Sequence, residues 1–85
     1  TQSESRGTTV TLSPKHEIFV NQKKVTEDSL EATLKEALNS TLDKTVILRG
    51  DKYVLLGETV KVMSIIKRAG ASEIAIAAET ERRTR

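Results

Sequence analysis

The stretch from Thr45 to Ala78 limits the possible folds more than any other part of this chain. An apolar run (Val46-Ile47-Leu48) is followed by Gly50-Asp51-Lys52, a helical pattern that stops at Ala69-Gly70, and a second apolar run (Ile74 to Ala78). With so little sequence between the pieces, they read as one strand–helix–strand unit. Such a unit puts its two strands parallel and its helix across them, and the crossover is right-handed in nearly all proteins. Val46 to Leu48 is short, β-branched and wholly apolar, which predicts a strand buried on both faces. Thr59, Val62, Met63, Ile66 and Ala69 give the helix, which runs from about Gly57 or Glu58 to Ala69, an apolar face, with Lys61, Lys67 and Arg68 turned outward. Two cations in the last turn suit the helix dipole, and Gly70 suits a left-handed cap. Val54-Leu55-Leu56 fits either a short extended piece or a loop lying on the core.

Upstream, Val10 and Leu12 alternate with Thr11 and Ser13, the period-2 pattern of a half-buried strand. Ser13-Pro14-Lys15-His16 reads as a turn, because Pro presets a backbone angle and Ser bonds the local backbone. Ile18-Phe19-Val20 then returns as the second arm of a hairpin. Asn21 to Lys24 is a polar break before Val25. Thr26 is placed to cap a helix from about Glu27 to Thr41, with Glu27 and Asp28 in its first turn. Leu30, Leu34, Ala37 and Leu38 share one face of that helix, and Leu42 extends it. The predicted order is ββαβαβ. Its fold class is α+β, a two-layer sandwich with two helices on one face of a single mixed sheet and the other face comparatively open.

At 85 residues the chain makes one domain, with 36% hydrophobic residues, 2% aromatic ones and no cysteine. The core is therefore aliphatic, and neither a disulfide nor a thiolate metal site is available. Fourteen basic residues are mixed among twelve acidic ones, a balance that reads as a solvated surface. No apolar run reaches the roughly 20 residues of a membrane helix. Residues 1–9 are polar and aperiodic and read as a linker, residues 10–79 as the folded domain, and residues 80–85 as a polar tail.

Nothing in the sequence assembles catalytic chemistry. His16 is the single histidine and sits in a predicted turn. No nucleophile elbow accompanies the serines and threonines. Gly50, Gly57 and Gly70 are too scattered for a phosphate loop. Asp51 reads as a turn residue bonding its own backbone, and Glu27-Asp28 as helix capping. The basic doublets Lys23-Lys24, Lys67-Arg68 and Arg82-Arg83 lack the stacking aromatics of a nucleic-acid binder, since only Phe19 and Tyr53 exist. The expectation is no enzyme, no cofactor, no metal and no nucleic acid. Ile74-Ala75-Ile76-Ala77-Ala78 stands out as apolar on both faces, which suits either a central strand or an edge that pairs with another chain.

Taken in order, these segments resemble the periplasmic domain of the ExbD and TolR family, small subunits of proton-driven motors in Gram-negative envelopes. The likeness runs from Val10 to Ala78. It is carried by the Val10–Val20 hairpin, the Val25-Thr26 lead, Thr45-Val46-Ile47-Leu48-Arg49-Gly50-Asp51-Lys52, Val60-Lys61-Val62-Met63, Ala69-Gly70 and Ile74-Ala75-Ile76. Gly50 stands where the family often has Ala, which is expected to loosen a turn there, and Leu56 where a Tyr is common. The family's membrane helix, with its proton-carrying aspartate, has no counterpart here, so the stretch is expected to be the periplasmic part alone, tethered through its linker to an inner-membrane helix. The resemblance implies a homodimer. It also implies a TonB- or TolA-like transducer as partner, an ExbB- or TolQ-like membrane subunit reached through the membrane helix and, for the TolR branch, contact with peptidoglycan. Strand pairing is expected at Val10, Thr11 and Leu12 and at Ile74, Ala75, Ile76, Ala77 and Ala78.

Overall fold

The computed structural model describes residues 7–79. The expected tail, and the expected linker up to residue 6, lie outside the described residues. The elements are β1 (Thr8–Leu12), β2 (Ile18–Val20), β3 (Lys23–Val25), α1 (Glu27–Asn39), β4 (Thr45–Asp51), α2 (Lys52–Arg68) and β5 (Glu73–Glu79). They form a five-stranded mixed sheet of order β3-β2-β1-β4-β5 with two helices, the expected α+β sandwich. β1 pairs with β4 and β4 with β5 in parallel, while β1–β2 and β2–β3 are antiparallel.

The first turn forms as its residues suggest. The Ser13 hydroxyl accepts from the backbone N–H groups of Lys15 and Glu17, both at 3.1 Å, and His16 takes a positive φ of 67°. The second turn was not legible as one. Asn21 adopts φ 59°, and its N–H donates to the Thr9 carbonyl at 2.7 Å while its Oδ1 accepts from the Thr9 N–H. Asn tolerates this left-handed region better than most residues. Lys23 and Lys24 therefore belong to a third strand and not to a polar break. That strand buries only Val25, so it carries no apolar alternation to read.

Thr26 caps α1 in a reciprocal box. Its hydroxyl accepts from the Ser29 N–H at 3.2 Å, and the Ser29 hydroxyl accepts from the Thr26 N–H at 3.1 Å. The helix ends at Asn39, two residues before the expected stop, because Lys44 folds back to donate to the Leu38 and Thr41 carbonyls. Leu42 consequently lies in the loop, fully exposed, and not on the helix's apolar face.

α2 departs most from expectation. It starts at Lys52, and Val54-Leu55-Leu56 is helical, neither extended nor loop. Asp51 is its N-cap, the carboxylate accepting from the Tyr53 N–H at 2.8 Å, so β4 passes into α2 with no intervening loop. Gly57 looked like a helix start but sits inside the helix on its outer surface. Gly70 ends the segment with φ 109°, as its position suggested. Gly50 is a buried strand residue and not part of a turn. A Cβ there would lie 3.1 Å from the Leu12 carbonyl oxygen, a tight fit and not a loosened one.

The core lies between the helices and one sheet face. Val10, Leu12, Ile18, Val20, Val46 and Leu48 from the sheet meet Leu30, Leu34 and Leu38 from α1 and Leu55, Val62, Ile65 and Ile66 from α2. The opposite face carries Thr9, Thr11, Phe19 and Ile47, half-buried, with Arg49 and Ala75 exposed. β4 is thus buried on one face only, against the expectation of two, because both helices lie on the same side. Its seven residues alternate in burial as a one-sided strand should. β1 begins at Thr8, so Thr8 and Thr9 belong to the fold and not to a linker.

Three substitutions test the longer α2. Gly57→Ala should stabilise the chain by about 0.5–1 kcal/mol in chemical denaturation, as at an exposed helix interior. Leu55→Ala should cost about 2–5 kcal/mol as a buried truncation, whereas Leu56→Ala should change stability by less than about 0.5 kcal/mol.

Candidate functional site: the β5 edge and its flank

The sheet has two edges, and they differ in character. β3 is three residues long and shows exposed Lys23 and Lys24, with Lys24 3.2 Å from Glu17. A short, cationic edge strand discourages pairing. β5 is seven residues long and has no charged residue from Ile74 to Ala78. Among the described residues only β4 pairs with it, so its outer row of backbone groups faces no strand. The sequence left open whether β5 is central or at an edge, and the topology places it at the edge.

The register divides the side chains of β5 between two faces. Ile74, Ile76 and Ala78 stand beside Val46, Leu48 and Gly50 on the helix side. Ala75 and Ala77 stand beside Ile47 and Arg49 on the open side. Ile74 is half-buried, but Ile76 is 51% exposed because no further strand covers it. Next to it, the flank of α2 and the strand enclose a shallow groove of about 430 Å³ lined by Lys52, Leu55, Leu56, Thr59, Ile76 and Ala78. Leu56 is 81% exposed on the rim. Large apolar residues left in water are individually ordinary, but here they adjoin a free strand edge.

Val10, Thr11 and Leu12 are placed differently from expectation. Val10 and Leu12 are buried in the core, and β1 is hydrogen-bonded to β2 on one side and β4 on the other. Both of its edges are occupied, so those three residues hold no free edge for another chain. The expectation for β1 is therefore corrected, and the candidate surface contracts to β5.

The remaining polar residues read as surface structure. His16 is exposed at its turn, and its Nδ1 lies 2.7 Å from Glu58 Oε2, a contact between turn and α2 that the sequence did not announce. Lys61–Glu27 at 3.0 Å and Arg68–Glu31 at 3.2 Å link the two helices across their exposed seam. Such pairs contribute at most about 1 kcal/mol each. Glu27 lies in the first turn of α1, as its position suggested, whereas Asp51, read from the sequence as a turn residue, caps α2. Among the described residues no three His, Cys, Asp or Glu side chains cluster as a metal site, and no helix is long and apolar enough to cross a membrane.

These features define an open-faced α+β sandwich of strand order 3-2-1-4-5, with one guarded edge and one apolar edge. A family model described as "Biopolymer transport protein ExbD/TolR" matches residues 1–81, nearly the whole sequence. Consistent with this, the chain is 32% identical over 73 residues to a curated relative, biopolymer transport protein exbD2 of Vibrio cholerae serotype O1. The chain belongs to the ExbD/TolR family. The aligned stretch is 86% of this chain and 54% of the relative, so the chain spans about half the length of the curated relative it matches.

Hydrogen exchange should reveal the asymmetry of the sheet. Amides of Val10, Thr11 and Leu12 should exchange only through near-global unfolding, while alternate amides of β5 exchange orders of magnitude faster. Uniformly slow exchange along β5 would mean that its outer edge is covered.

Proposed function

We propose that this chain is the periplasmic interaction domain of an inner-membrane subunit in a proton-driven motor that energises transport across the outer membrane. It engages the energy transducer, a TonB- or TolA-like protein, by accepting an extended segment beside β5. Family membership supports the transport role. One observation carries the pairing: β5 is long, uncharged through its centre and, among the described residues, bonded on one side only, next to an apolar groove. Strand addition draws affinity from main-chain hydrogen bonds and selectivity from alternate side chains, and it needs such an edge.

The reading assigns roles by position. The ladder residues are Ile74, Ala75, Ile76, Ala77 and Ala78. A second copy of the chain has the same edge available for homodimer formation, so self-pairing and transducer pairing compete for β5. An ExbB- or TolQ-like subunit acts through parts of the protein beyond this stretch. Neither a cofactor nor a catalytic step is required, because the work is mechanical: proton flow at the membrane changes whether the edge is presented.

An NMR titration with linker peptides from TonB- and TolA-like transducers tests this. Amide shifts should concentrate on residues 73–78 and adjoining β4. Ile76→Lys should keep the fold, since that side chain is half in water, and lower peptide affinity at least about tenfold by placing a charge on the pairing edge. Shifts confined to the open face around Phe19 and Arg49 would overturn the edge assignment, and binding to isolated cell wall by that face would favour a peptidoglycan anchor instead.

A further inference from the structure

We infer that the flank of α2 reads the side chains of the strand seated beside β5, selecting a segment with apolar residues at alternate positions and a carboxylate where it meets Lys52. This rests on the edge-pairing reading and adds to it the chemistry of the partner.

A strand added outside β5 lies about 4.8 Å further out, and every second side chain points to the helix layer. β5 turns Ile74, Ile76 and Ala78 to that layer, so the incoming helix-facing residues stand in line with them. There they meet the groove wall, where Leu55, Leu56 and Thr59 stand above Ile76 and Ala78. The wall is apolar except for Thr59 and Lys52, and Lys52 is its one charged member. Apolar side chains at the middle helix-facing positions would remove both Leu56 and Ile76 from water. On the open face the same strand would border Ala75 and Ala77, which are small and impose little selection.

The position of Lys52 fixes the site of the charge. Asp51 pairs with Glu79, and Lys52 follows immediately as the first residue of α2. Lys52 therefore lines the Ala78 end of the groove, with its ammonium 5.3 Å from the centroid of the neighbouring Tyr53 ring and within a side chain's reach of that end. A carboxylate on the helix-facing side at that end complements it, and a basic residue is repelled.

A second copy fits this pattern less well. Antiparallel self-pairing centred on Ile76 would set Ile74 of the second copy opposite Ala78, beside Lys52. An apolar side chain would then face the ammonium, with no counter-charge. The charge pattern thus favours a different chain as the occupant.

Two capped peptides provide the test: Asp-Thr-Val-Thr-Val-Thr-Asp, and the same sequence with Lys at both ends. Placing the charge at both ends makes the comparison independent of strand direction. Each is titrated by NMR into the 85-residue chain. The acidic peptide should shift residues 73–78 and bind about two- to fivefold more tightly than the basic one, the range of a solvent-exposed charge pair. Lys52→Glu should reverse that order. Lys35→Glu, which makes the same change in net charge on α1, should leave it intact. Leu56→Asp should weaken both peptides while β5 still registers them. If both peptides shift β5 equally in the wild type and in Lys52→Glu, edge pairing stands and the selection inferred here is wrong. If neither peptide touches β5, both readings fail. If sedimentation shows a dimer that excludes both peptides, a second copy is the occupant and the inferred partner chemistry is overturned.

Discussion

The parallel pairing of β1 with β4 holds the molecule together. Val10, Val46 and Leu48 lie side by side on these strands, all completely buried, and both helices close over them. This pairing joins the N-terminal hairpins to the C-terminal strand–helix–strand unit, which otherwise share only contacts through the helices. It is also a non-local contact, so loop closure precedes its reward. Gly50 shows how closely it is fitted, since the chain leaves β4 past the Leu12 carbonyl with little room to spare. Lys44 and Asp51 act at the two ends of β4. Lys44 donates to the Leu38 carbonyl in the last turn of α1 and to the Thr41 carbonyl just past it, and Asp51 accepts from the Tyr53 N–H in the first turn of α2. β4 is thus bracketed by side chains that bind the end of α1 and the start of α2.

Much of this was legible in the residues because one physical signal dominated each segment. Period-2 alternation marked β1, Thr26 marked the start of α1, and Gly70 marked the end of α2. Misreadings occurred where two signals competed. Val54-Leu55-Leu56 has the composition of a short strand, and Gly57 looks like punctuation. Asp51 nevertheless begins a helix there, and tertiary burial of Leu55 outweighs the glycine. β3 stayed hidden because a strand with one buried residue carries no hydrophobic period. β4 was assigned two buried faces from its composition, although composition does not report how many layers cover a sheet.

The candidate site was only half visible for a related reason. An apolar run such as Ile74 to Ala78 announces that it is covered or pairs with something. Whether it lies at the centre or the edge is decided by topology, which no single segment encodes. The same ambiguity made β1 look like a pairing surface, whereas both of its sides are already paired. The groove beside Ile76 could not be read at all, because it joins residues 52–59 to residues 76–78 and depends on the start of α2.

The direction of the strands has a mechanical meaning. β1, β4 and β5 run the same way, so the point where the chain enters the sheet and the beginning of β5 lie at one end of the domain. Tension applied at that end, against the strand proposed to lie along β5, acts parallel to the ladder. The hydrogen bonds then share the load and must slip together; a pull across the sheet would open them one after another. A small domain can in this way hold firmly along one axis while letting go easily along another.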